Sequence, residues 1–177
     1  DLKVLYVEID SAIYYNSSQV SNVNGVKSKV VDVLNTFSTS NINKFGGRFK
    51  YSKLGQIIDG SDSSITSNIT RVIIRRNMKC LLNQSAQYEL CYGNTFKKNA
   101  GGFNIKSTGF TLANKSGTLY FKDVPNTTGM WTLSVVNDST TSNEFTVVIK
   151  SAGTVDYEKG EIIVNTLNIT STVAPNN

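Results

Sequence analysis

From about Lys79 onward, short apolar runs are separated by turn residues at roughly eight- to twelve-residue intervals, and none keeps a helical period. Side chains of a strand alternate between faces, so such runs bury one face only by pairing with their neighbours. The stretch "AQYELCYGNTF" reads as a strand ending at Gly93-Asn94. "FNIKSTGFTLAN" and "TLYFKDV" flank Lys115-Ser116-Gly117, a hairpin with glycine closing its loop. Pro125 to Gly129 forms a further turn, and "MWTLSVV" and "EFTVVIK" flank the polar loop "NDSTTSN". "GTVDY" and "EIIVN" flank Glu158-Lys159-Gly160.

The first part of the chain has a different rhythm. "LKVLYVEI", Leu2 to Ile9, is rich in β-branched and aromatic residues and predicts a strand. After a polar loop ending near Asn24-Gly25, Val23, Val26, Val30, Leu34 and Phe37 recur at helical spacing, predicting a helix over 23–38. Its valines are weak helix formers, so packing must hold it. Gly46-Gly47 marks a turn, Tyr51 to Ile58 fits a second helix with Gly60 as its stop, and "NITRVIIRR" returns to strand. The expected class is α+β: a β-α-α-β segment at 1–77 packed with an antiparallel, hairpin-rich segment at 78–177. The chain opens at Asp1 inside a strand-like pattern and ends on "STVAPNN", which reads as a piece of a longer protein.

Of the 177 residues, 39% are hydrophobic and only 18% charged, the polar remainder being mostly Asn, Ser and Thr. That mix favours turns and strands over helix. The net charge of +5 permits an acidic partner without requiring one. The densest basic stretch, Thr70 to Lys79, holds Arg71, Arg75, Arg76 and Lys79. It sits on strand-like sequence without interleaved aromatics, which favours a solvated strand face or a protein interface over nucleic acid. No apolar run approaches the ~20 residues of a membrane-spanning helix.

Cys80 and Cys91 flank "NQSAQ" at nearly equal spacing. A hairpin there would set them face to face and permit a disulfide, while the alternative, which the small number of cysteines favours, is two buried thiols. Asn-x-Ser/Thr sequons at Asn16, Asn68, Asn83, Asn114, Asn126, Asn137 and Asn168 carry little weight, because this composition yields about four by chance.

The residues for chemistry are sparse. There is no histidine, the usual general base and commonest metal ligand. Two cysteines eleven apart match no four-ligand zinc spacing, and no phosphate-binding glycine loop or nucleophile elbow is present. "DGSDSSIT" offers oxygens, but counting from Asp59 the calcium-loop positions for Gly and Glu are Ser64 and Thr70. Trp131 shares a strand face with Leu133 and Val135, which favours a core or interface position over ligand stacking. The acids Asp156, Glu158 and Glu161 fall at a hairpin tip with Lys159, where neither of a catalytic pair would be desolvated. The residues therefore nominate no catalytic, metal or cofactor-binding side chain.

Three stretches, "DGSDSSITSNITRV", "YELCYGN" followed by "GGFNIKSTGF", and "GTVDYEKGEIIVNTLNI", stand in this order along the chain. Together they resemble the baseplate wedge proteins of contractile phage tails, the baseplate J-like family. The resemblance implies a structural protein without catalytic residues or cofactors. It implies a place in the virion tail baseplate after assembly in the host cytoplasm, and partners that are further copies of the chain and neighbouring wedge proteins. Assembly in that cytoplasm would keep Cys80 and Cys91 reduced. A surface adhesin or glycan-binding β-domain is the alternative, drawn from the Asn/Ser/Thr richness and Trp131. It requires an exposed aromatic in a groove.

Overall fold

A computed structural model describes residues 4–98, 104–124, 131–138 and 145–174. It combines two α-helices with eight strands, all of whose pairings among the described residues are antiparallel. The chain divides into two compact units, Tyr6–Arg75 and the rest of the described residues.

In the first unit, β1 (Tyr6–Tyr15) and β2 (Ile65–Arg75) form a two-stranded ribbon, with helices α1 (Val23–Phe37) and α2 (Tyr51–Asp59) between them in sequence. The first strand lies several residues later than "LKVLYVEI" predicts. Val4 and Leu5 are exposed and unpaired in the ladder, while "DSAIYY" continues the strand because each residue finds a partner on β2. Helix α1 starts where the Asn22 carboxamide oxygen accepts from the N–H groups of Asn24 and Gly25, at 3.0 and 3.3 Å. Its Val26, Val30 and Phe37 are buried, and Val30 and Phe37 join Leu54 and Ile58 of α2 in the core, against Ile9, Ile13, Ile65 and Val72 of the ribbon. Val23, expected on that face, is exposed in the first turn. Gly60 ends α2 in right-handed backbone (φ −82°), so it stops the helix without the left-handed conformation glycine usually supplies.

The second unit is a sheet in the order β3-β8-β7-β6-β5, made of β3 (Ser85–Cys91), β5 (Tyr120–Val124), β6 (Trp131–Asp138), β7 (Phe145–Asp156) and β8 (Glu161–Thr172), with β4 (Phe110–Leu112) also paired to β8. Its core gathers Leu119, Phe121, Trp131, Leu133, Val135, Val155, Val164 and Ile169. Trp131, Leu133 and Val135 do share the buried face.

Several sequence expectations change here. "EFTVVIK" and "GTVDY" are one strand, β7, which stays continuous by slipping register opposite Ser134. The buried Ser134 hydroxyl donates to the Lys150 carbonyl at 2.7 Å, satisfying an acceptor at the irregularity. "EIIVN" is only the start of β8, whose polar second half is held by pairing with β3 and β4. The hairpin expected around Gly117 shrinks to two isolated bridges, Phe110 with Leu119 and Lys106 with Lys122, because the ladder of β4 belongs to β8. Gly117 does take left-handed backbone, φ +83°. Cys80 and Cys91 do not face each other across a hairpin: β3 pairs with β8, which sets Cys91 opposite Glu161, and both thiols are free and half-buried. The Pro125–Gly129 turn and most of the "NDSTTSN" loop lie outside the described residues.

Candidate functional site

The acidic hairpin forms the connection between β7 and β8. Asp156 closes β7, and its Oδ1 accepts the backbone N–H groups of Glu158 and Lys159, both at 3.0 Å. The Lys159 N–H, chiefly, holds this carboxyl below its ordinary range. The Lys159 ammonium stands 3.6 Å from Oδ2. Gly160 completes the turn at φ +66°, where any Cβ would run into the Asn94 carbonyl. Asp156 is thus a turn cap, and Glu158 points to solvent.

Beneath the tip lies a polar cluster that the sequence reading missed. The Tyr157 hydroxyl donates to the carboxylate of Asp123, which is fully buried and also accepts the Ile105 N–H at 2.7 Å. The Asn104 amide donates to the Tyr157 oxygen at 3.0 Å. Burial, and then the neighbouring carboxylate, push the Tyr157 phenol far above its ordinary value. One signal was available: Asp123 follows Phe121 by two residues and so shares its inward face.

Glu89, Cys91 and Glu161 converge through the β3–β8 register, with the Cys91 Sγ 3.1 Å from Glu89 Oε1 and 3.7 Å from Glu161 Oε1. Their donor atoms lie within 4.8 Å of one another, the only such metal-capable group among the described residues. The Glu89 carboxylate, first among the causes, raises the Cys91 pKa, so this thiol holds its proton and is a poor nucleophile. Asp62, in the loop considered for calcium, is taken up by Lys29 at 2.7 Å and by the Ser64 N–H and hydroxyl at 2.9 and 2.6 Å. Those bonds, the lysine's first, hold its carboxyl well below the ordinary range.

The basic stretch does not form one face. Arg75 pairs with Glu8 at 2.6 Å and lies over the Tyr6 ring, the Arg76 guanidinium donates to the Cys91 carbonyl, and Arg71 and Lys79 are exposed. Trp131 is inside the core, packed against Tyr157, so it offers no open face to a sugar ring.

The ribbon of the first unit has one face turned away from the helices. Its register puts Tyr6, Glu8, Asp10, Ala12 and Tyr14 of β1 with Arg75, Ile73, Arg71, Ile69 and Ser67 of β2 on the face opposite the helices. Apolar side chains are open there, with Tyr14 51% and Ile69 65% exposed. The open edge of β2 is partly masked by α2: the Tyr51 hydroxyl donates to the Thr70 carbonyl at 2.6 Å, and the Asn68 amide to Asp59 Oδ1 at 2.6 Å. The far edge of β1 pairs with no other strand among the described residues. An open strand edge offers unpaired backbone groups that another chain's strand can pair with.

Residues 3–77 match the family model of baseplate structural protein gp6, C-terminal domain III. The match spans the ribbon-and-helix unit from end to end and covers under half of the chain. It supports a phage baseplate protein family, and with it a structural role and a place in the virion tail baseplate. No curated protein matches the chain.

Proposed function

We propose that this chain is a structural component of a contractile-tail baseplate wedge, joining subunits in the ring around the tail hub. The similarity of residues 3–77 to a baseplate structural protein carries this reading. The exposed ribbon supports it, since an unpaired strand edge and open apolar side chains suit a subunit that is buried against others. Its partners are further copies of the chain and neighbouring wedge proteins, met during assembly in the host cytoplasm. In kind the chain resembles the large wedge protein of T-even phages, and it works as two segments, 1–77 and 78–177. It acts without catalysis, nucleic acid or membrane. An adhesin would need an exposed aromatic platform, and Trp131 does not supply one.

The test is a density map of assembled tail particles carrying this chain. The expected result is the ribbon unit buried against neighbouring subunits of the baseplate. A chain lying away from every other subunit, or missing from purified tails, overturns the proposal.

A further inference from the structure

The edge of β1 has an orientation that can be read from hydrogen bonds on both sides of the ribbon. The Thr70 carbonyl is taken by Tyr51, so it points away from β1, and the Tyr14 carbonyl accepts from Thr66 Oγ1 on β2 at 3.1 Å. In an antiparallel pair, residues that turn both backbone groups outward alternate with residues that turn them inward. Thr70 lies opposite Ser11, so the outward set on β1 is Val7, Ile9, Ser11 and Ile13. The side chains of Ile9 and Ile13 pack into the helix-facing core, so the edge is rigidly held where its backbone groups are open.

We propose that β1 joins two copies of this chain edge to edge, with Ser11 opposite Ser11 about a two-fold axis, making a four-stranded antiparallel sheet. This rests on the assembly reading above and names the surface and partner for it. Charge, side-chain matching and ladder length together select the register. Centring on Asp10 would set two aspartates directly opposite, and centring on Ile9 would set Glu8 opposite Asp10; like charges so placed are destabilising. Centring on Ser11 sets Asp10 opposite Ala12 and Glu8 opposite Tyr14, while Ile9 meets Ile13 on the core face. Each Asp10 keeps Arg71 opposite it on its own ribbon. Centring on Ala12 also avoids facing acids, but it pairs Ile13 with Ser11 and shortens the ladder. A second copy suits the edge because its own β1 supplies both the open backbone groups and the matching side chains.

Sedimentation equilibrium of the 177-residue chain and four variants tests this. The wild type is expected to dimerise. Ala12→Lys, facing Asp10 of the second copy, tightens the dimer, and Ala12→Glu weakens it, each by about two- to thirtyfold because the pair occurs twice. Ser11→Pro removes an outward backbone donor while sparing the β1–β2 backbone ladder, and abolishes the dimer; because it also removes the Ser11 hydroxyl bonded to Thr70 at 2.8 Å, Ser11→Ala serves as its control and keeps the dimer. If both Ala12 variants weaken the dimer, Ala12 faces its own copy and the Ser11 register is wrong. A dimer indifferent to both Ala12 substitutions and to Ser11→Pro meets elsewhere, which overturns the inference and leaves the baseplate reading standing. A wild type that stays monomeric at millimolar concentration overturns the inference also. The baseplate reading falls only on the particle map.

Discussion

The Tyr157 hydroxyl donates to the carboxylate of Asp123, a side chain with no exposed surface. This bond ties the β7–β8 turn to β5, and the Asp123–Ile105 bond ties β5 to the segment before β4. Tyr157→Phe leaves a buried carboxylate short of a donor, and the expected loss is about 1–3 kcal/mol. Urea unfolding at pH 7 measures it, and a change under a few tenths of a kcal/mol contradicts the account.

The same contact sets an alkaline limit. The folded-state pKa of Tyr157 is raised above the ordinary 10.0, chiefly by burial, and burial raises that of Tyr92 as well. Below pH 10 both states hold these protons and the contribution is complete. Above it the unfolded chain ionises first, so stability falls with rising pH. The decline should flatten in Tyr157→Phe. Unfolding midpoints measured between pH 8 and pH 11 check it, and parallel profiles count against it.

In acid the sign reverses. Asp62 and Asp156 have folded-state pKa values below the ordinary 3.8, Asp62 through Lys29 first and Asp156 through the Lys159 N–H first. Their contributions are complete above that value and are lost as pH falls below it. Asp62→Asn should shrink the acid-induced loss while lowering stability at neutral pH. An acid titration unchanged by the substitution would sink this assignment.

Gly153 lies where β7 crosses Ile163 of β8, and a Cβ there would collide with the Ile163 carbonyl. Backbone cannot swing aside as a side chain can. Gly153→Ala is expected to cost about 1–3 kcal/mol by overpacking. Thermal unfolding beside Gly55→Ala, at a position with open space around it, separates this effect from a general glycine effect.

Cys91 should alkylate slowly at pH 7.5, because Glu89 and Glu161 disfavour its thiolate. Glu89→Gln is expected to speed its reaction with iodoacetamide. Peptide mass spectrometry follows the rate at Cys91 and Cys80 separately, and an unchanged Cys91 rate rejects the carboxylates as the cause.

Much of the fold was legible because local rules agreed. The spacing of Val26, Val30 and Phe37 marks α1, and the alternation of Trp131, Leu133 and Val135 marks the buried face of β6. Glu158-Lys159-Gly160 was legible as a turn, since glycine there supplies the left-handed backbone. The extent of β8 was not, because its second half is Asn- and Thr-rich and its strand state comes from partners distant in sequence. Asp123 was hidden for a related reason: its donors come from Ile105 and Tyr157, on other segments.

The sequence by itself determined that this protein is strand-rich with two amphipathic helices, and it nominated no histidine-based or nucleotide-binding chemistry, because residue type and periodicity act locally. Only the tertiary structure decided that β3 pairs with β8, that Cys91 sits among carboxylates, and that β1 pairs with β2 alone among the described residues. Pairing between distant segments depends on which partners close which backbone hydrogen bonds, and a one-dimensional pattern marks a strand without saying which edge stays open.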